Sequence, residues 1–113
     1  MNALTPETIL KSAQDFMESR ILLTAAEMNL FTMLGTSPRP AEDIAVQTGS
    51  DLRALTMLLD ALVAMGYISK KEGLYHCEES VYRLLSAEAP GSVLPMVRHM
   101  ASLWPRSSAW MPG

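Results

Sequence analysis

The sequence predicts a mainly α domain, a winged helix-turn-helix with a small β-hairpin wing and extra N- and C-terminal helices. Three observations predict it. From Pro40 onward, PAEDIAVQTG, SD and LRALTMLLDALVAM read as a helix, a tight turn and a second helix. GYISKKEGLYH follows at once and alternates like two short strands, with Gly73 supplying the positive φ that a short hairpin turn needs. The composition, 49% hydrophobic and 19% charged over 113 residues, is that of a globular chain.

The elements follow in order. Thr5-Pro6-Glu7 is a helix start: Thr5 can cap, Pro6 fits the first helical position, and Glu7 suits the positive end of the dipole. Ile9, Leu10, Ala13, Phe16 and Met17 then recur at helical spacing, with Lys11, Ser12, Asp15 and Glu18 on the other side. The pattern restarts around Ser19 or Arg20. ILLTAAEMNLFTML, Ile21 to Leu34, is apolar on nearly every side, and a helix of that kind is covered on most faces. A domain this small has little interior to surround it, so this segment predicts self-association. Gly35 ends it.

Thr36 to Pro40 reads as a rigid polar linker. In the next helix Ile44, Ala45 and Thr48 face inward, and Gly49 closes it. Ser50 or Asp51 caps the helix from Leu52 to Met65, whose inward face is Leu55, Leu58, Leu59, Leu62 and either Val63 or Met65. In the hairpin, Tyr67 to Lys70 and Leu74 to Cys77 are the strands. Ile68, Tyr75 and Cys77 share one face; Ser69 and His76 take the other, or the rim. Val81 to Leu85 is a short helix capped by Ser80. Ser92 caps a last one from Val93 to Leu103, with Val93, Leu94, Met96, Val97, Met100 and Leu103 as its apolar positions. Trp104-Pro105 ends it, and residues 107–113 form an irregular tail. The domain boundaries are 1–106, comprising a helical arm 5–34, a winged helix 36–80 and C-terminal helices 81–104.

Chemistry is sparse in this sequence. The net charge is −3, against the basic excess of most DNA-binding domains. Residues 37–66 carry two cations, Arg39 and Arg53, and four acids, Glu42, Asp43, Asp51 and Asp60. Nothing but Arg53 on the second helix could read a base edge. The two histidines, His76 and His99, lack partners at metal-ligand spacing, so no metal site is expected. His76 reads as an exposed hairpin residue, and His99 as a helix-surface residue or part of a pocket wall. Cys77 has no activating histidine nearby and reads as a small hydrophobe; Glu78-Glu79 reads as a solvated loop. No glycine pattern encodes a phosphate cradle, and no catalytic constellation stands anywhere. The lone cysteine suits a cytoplasmic location, and the N-terminus carries no signal-peptide pattern. No run of about 18 apolar residues predicts a membrane span.

The ordered set ILLTAAEMNLFTML, AEDIAVQTG, LRALTMLLDALVAMGYI, GLYH and VYRLL resembles the N-terminal domain of the S-adenosylmethionine-dependent O-methyltransferases of the plant caffeate/hydroxyindole type. SVLPMVRHMASLWPR resembles the helix that leads toward their catalytic domain, so the likeness runs from about Ala13 to Arg106. The resemblance implies a winged helix turned into a homodimerisation module, whose last helix lines part of the methyl-acceptor pocket. It makes Ile21, Leu22, Leu23, Ala26, Met28 and Leu30 dimer-interface or core candidates, and the apolar stripe of the first helix adds Ile9 and Phe16 as dimer-interface candidates. It makes Leu94, Met96, His99, Met100 and Leu103 pocket-wall candidates. The family's catalytic domain, with its cofactor loop and catalytic histidine, has no counterpart in the sequence. The implied chain binds no S-adenosylmethionine, has no catalytic residues or metal, and performs no methyl transfer by itself. A truncated gene product, an isolated domain and a natural stand-alone module all fit; the aperiodic tail favours the first. The expected partners are a second copy and a missing catalytic domain, without nucleic acid or membrane. A winged-helix DNA-binding transcription regulator is the alternative, and a small-molecule module using Met96, His99 and Met100 is the third reading.

Overall fold

The computed structural model describes residues 4–103. The expectations for Trp104-Pro105 and the tail lie outside the described residues. The elements are α1 (Pro6–Glu27), α2 (Leu30–Leu34), α3 (Ala41–Thr48), α4 (Leu52–Ala64), β1 (Ser69–Lys71), β2 (Leu74–His76), α5 (Glu79–Leu85) and α6 (Leu94–Leu103).

The start of α1 is fixed as the sequence predicts, and more firmly. Thr5 Oγ1 accepts from Thr8 N at 3.2 Å while Thr8 Oγ1 accepts from Thr5 N at 3.0 Å, a reciprocal capping box. The expected restart at Ser19 or Arg20 does not occur. Neither residue breaks a helix, and α1 runs unbroken for 22 residues. The break comes at Asn29, which sits at φ 58, a left-handed conformation that asparagine tolerates better than most residues. The single apolar helix expected from Ile21 to Leu34 is therefore two pieces that turn toward one core. Ala25 and Ala26 on α1 and Leu30, Phe31 and Leu34 on α2 are all buried within the chain.

The helix-turn-helix packs on that layer. Gly49, at φ 67, closes α3, and the Asp51 carboxylate caps α4 by accepting from Ala54 N at 2.9 Å. Ile44, Leu55, Leu59 and Leu62 join Leu30, Phe31 and Leu34 in one cluster, sealed by Ile68, Tyr75 and Cys77 from the wing and Leu85 from α5. Each such side chain contributes roughly 1.5–3 kcal/mol on leaving water.

The wing is a two-stranded antiparallel pair in the register Ser69↔His76, Lys70↔Tyr75 and Lys71↔Leu74. Both residues of its tight turn, Glu72 and Gly73, have positive φ. The segment expected as a polar linker does more than connect. Arg39 N donates to Tyr75 O at 2.9 Å, Tyr75 N donates to Arg39 O at 2.8 Å, and Cys77 N donates to Gly35 O at 2.8 Å. Residues 35–39 thus lie along β2 like a third strand and tie the wing to the end of α2. The Arg39 guanidinium is spent on the same task, donating to the Met33 carbonyl and, at 2.7 Å, to Gln47 Oε1.

Tyr75 also locks the wing to α4. Its hydroxyl donates to Asp60 Oδ1 at 2.6 Å, and Lys70 Nζ lies 3.2 Å from the same oxygen and 5.0 Å from the centre of the tyrosine ring. The bond from Tyr75, helped by Lys70, holds the Asp60 carboxyl below its ordinary value. A depressed folded-state value means that the bond stabilises the fold above the unfolded carboxylate range and fades as pH falls through the folded value. Tyr75→Phe is expected to cost about 0.5–1.5 kcal/mol near neutral pH. The gap to the parent protein, read by urea denaturation, should narrow as pH falls from about 7 to about 3.

The C-terminal helices close the domain. The cap of α5 is Glu78, two residues before the expected Ser80, because the Cys77 amide already pairs with Gly35 and the Glu78 carbonyl accepts from Tyr82 N at 2.9 Å. α6 starts at Leu94, one residue later than expected, with the Val93 carbonyl accepting from Val97 N at 3.0 Å; Ser92 sits just before it, its hydroxyl accepting from Leu94 N at 3.1 Å and donating to Leu84 O at 2.8 Å. α6 lies against α1, with Leu94 and Ala101 buried and Arg98 Nε donating to the Ala26 carbonyl at 3.1 Å.

Candidate self-association surface

α1 changes allegiance along its length. Its last two turns belong to the core, through Ala25 and Ala26 with Ile21 and Leu22 beside them. Its first three turns do not: every residue from Leu4 to Met17 is exposed. The described residues are correspondingly elongated, 46 × 31 × 29 Å with a radius of gyration of 15.7 Å. A compact domain of about 100 residues would have about 13 Å.

That projecting stretch is not polar all round. Ile9 is 55% exposed, Leu10 69%, Phe16 48% and Met17 62%, and with Ala13 they form one stripe at 3.6 residues per turn. The opposite side of the same stretch is polar and faces the body. Where that side reaches the body, Asp15, Glu18, Ser19 and Leu22 line an open groove of about 500 Å³ with Ala64, Met65 and Tyr67. The apolar stripe therefore points away from the chain's own core. Its order is symmetric: Ile9-Leu10, two residues, Ala13, two residues, Phe16-Met17.

Of the dimer-interface candidates, the structure exposes Ile9 and Phe16. Ile21, Leu22 and Met28 are partly buried and pack against the core cluster, and Leu23 is partly buried. Ala26 and Leu30 are fully enclosed by their own chain, which places them in the core and off any surface. The reason is the turn at Asn29, which folds both residues under α6 and α4. Leu10 and Met17 belong on the surface list, and their spacing with Ile9 and Phe16 was the signal for them.

Of the pocket-wall candidates, Leu94 is buried in the core at 1% exposure. Met96, His99, Met100 and Leu103 stand together on the outward side of α6, all exposed. The inward side of that helix is Leu94, Val97 and Ala101.

The remaining chemical candidates are placed as follows. His76 is not an exposed hairpin residue: its side chain is only 20% exposed, with Nε2 3.5 Å from Glu78 Oε1 and Nδ1 buried without a hydrogen bond. The strand register sets it across from Ser69, whose hydroxyl donates to the same Glu78 oxygen at 2.9 Å. Glu79 lies within α5 and meets Arg83 one turn on, at 3.0 Å. Cys77 is a buried filler, 3.7 Å from the Phe31 carbonyl, and burial pushes its thiol up to about 12. Among the described residues no group of three or more His, Cys, Asp or Glu could hold a metal.

The outward face of the helix-turn-helix presents Val46 and Met57 beside Arg53, Glu42 and Asp43. The wing cation Lys70 is paired with Asp60, and Arg39 is turned inward. Among the described residues no helix is long and apolar enough to cross a membrane.

The chain's likeness to known proteins covers the same elements. A family model described as the O-methyltransferase dimerisation domain matches residues 10–87. The chain is 33% identical over 97 residues to the S-adenosyl-L-methionine-dependent methyl transferase PigF of Serratia sp. (strain ATCC 39006), covering 86% of this chain and 28% of that protein. It is 35% identical over 89 residues to the tetracenomycin polyketide synthesis 8-O-methyl transferase TcmO of Streptomyces glaucescens, covering 78% of this chain and 26% of that one. Among solved structures, PigF with SAH superposes with a TM-score of 0.78 at 28% identity, over 87% of this chain and 29% of that one. An O-methyltransferase family protein from Burkholderia thailandensis gives 0.79 at 25% identity, over 90% and 31%. The chain spans less than a third of each of these proteins.

Proposed function

The chain belongs to the O-methyltransferase dimerisation domain family, and from that premise we propose that it joins two copies of itself through the projecting half of α1. One observation carries the reading: an apolar stripe that is exposed, turned away from its own core and symmetric about Ala13. Two-fold dimers use one patch on both subunits, so the patch must complement itself. An antiparallel crossing of α1 on its copy, with the axis at Ala13, sets Ile9-Leu10 of each chain against Phe16-Met17 of the other. The small alanine at the axis lets the backbones approach. Ile21, Leu22, Leu23 and Met28 support the arm from behind.

The outward side of α6, with Met96, His99, Met100 and Leu103, is the surface offered to a catalytic domain and its methyl acceptor; Leu94 holds it from the core. Methyl transfer itself would need S-adenosylmethionine on such a domain. The described residues do not fit that cofactor. Their glycines sit at helix ends and turns with positive φ, and their only sheet is a hairpin, with no parallel strand and helix between which an adenosyl group is held. On this reading the described residues serve assembly. A cytoplasmic site of action suits its lone, buried thiol.

A DNA-binding role is the weaker reading. Lys70 and Arg39 are already engaged within the fold, and the outward helix face offers valine and methionine where phosphate binding needs cations. Salt-dependent binding of duplex DNA that is lost in Arg53→Ala would reverse this ranking. For the dimer, an Ala13→Cys variant is the direct test. Oxidation should join two chains covalently through position 13, since the native Cys77 is buried. A dimer that does not cross-link there would keep the assembly and refute the axis.

A further inference from the structure

The outward side of α6 carries a second kind of chemistry. Met96, His99 and Met100 stand at i, i+3 and i+4 on the helix Leu94–Leu103. Residues three and four apart on a helix are neighbours, with Cβ atoms about 5–6 Å apart, so Met96 adjoins both His99 and Met100. Met96 is 59% exposed and Met100 56%, and His99 is exposed on the other flank of Met96. No hydrogen bond or ion pair engages the His99 ring among the described residues. Arg98, the cation next in sequence, is turned to the other side of the helix by its bond to the Ala26 carbonyl.

Two thioethers and an imidazole form a soft donor set. Such a set favours copper(I) and its congener silver(I) over zinc, magnesium or calcium, which ask for thiolate, imidazole or oxygen ligands. Thioethers carry no proton to lose, and the long unbranched methionine side chains can swing to meet one ion. The alternative soft ligand, Cys77, is out of reach: it is buried, and its thiol stays protonated.

We infer that Met96, His99 and Met100 form a binding site for one soft monovalent metal ion, copper(I) or silver(I), on the exposed side of α6. The site is independent of the dimer stripe, which lies on α1. It also occupies the surface offered to a catalytic domain, so a bound ion would block docking there.

Silver(I) nitrate in chloride-free buffer is the probe, because it needs no reductant. The readout is the methyl resonances of labelled methionines and the ring protons of His76 and His99 in the full chain. The expected result is saturation at one ion per chain, with Met96, Met100 and His99 shifting together and the other methionines unmoved. Met96→Leu, Met100→Leu and His99→Gln should each weaken binding by about tenfold or more, as loss of even an outer ligand does. All three positions are exposed, so circular dichroism should be unchanged. Met57→Leu, an exposed methionine elsewhere, should bind silver(I) as the parent does. Shifts spread over every exposed methionine, or a response of His99 alone, would refute the site, as would equal binding by Zn²⁺. None of these outcomes bears on dimerisation.

Discussion

Replacing Ala13 with arginine should separate the dimer into folded monomers. At the crossing point each chain would set a long cation against its own copy, where the parent sets two methyl groups. Arginine is a good helix former and position 13 is exposed, so α1 itself should be unaffected. Leu10→Glu should act in the same direction, removing one apolar contact of about 1.5–3 kcal/mol on each side of the axis and burying a carboxylate there. Two such losses per dimer correspond to a dissociation constant raised by about a hundredfold or more. Sedimentation of both variants alongside the parent reads this directly, with circular dichroism as the control for folding. Lys11→Ala, on the polar side of the same turns, should leave the dimer intact.

The second large effect is on stability. Phe31 is 1% exposed and sits where α2, α4 and the wing meet, with the Tyr67 ring 6.3 Å away and the Cys77 thiol against its carbonyl. Phe31→Ala should cost about 3–5 kcal/mol, the combined loss of transfer energy and of packing around the cavity. For a domain of this size that is a large share of a total of about 5–15 kcal/mol. Urea denaturation should show the midpoint falling sharply with the slope retained. Val46→Ala, at 84% exposure, should leave the midpoint unchanged.

These two residues show why so much of the fold was legible and part of the surface was not. Phe31, Ile44, Leu55, Leu59 and Leu62 declare themselves by helical spacing, and the caps at Thr5, Asp51 and Gly49 declare where α1 and α4 start and α3 stops. The wing was equally plain from Gly73 and the alternation around it. What periodicity could not reveal was direction. A helix apolar on all sides from Ile21 to Leu34 looked as though it needed a partner chain. The left-handed turn at Asn29 instead folds its two halves into one core, so Ala26 and Leu30 are interior. The exposed stripe proposed for self-association lies one helix half earlier, where the sequence offered Ile9 and Phe16. The strand-like role of Arg39 is hidden for a related reason: its partner Tyr75 is 36 residues away in sequence, and the pairing leaves no local trace. On α6 the apolar positions were all visible, but only packing against α1 separates buried Leu94 and Ala101 from exposed Met96 and Met100.

Sedimentation equilibrium of the parent chain at tens of micromolar, a range in which specific association is normally complete, tests the central claim. The account predicts a single species of twice the 12.4 kDa chain mass, reduced to the chain mass by Ala13→Arg. A parent protein that sediments as a monomer at that concentration would contradict it.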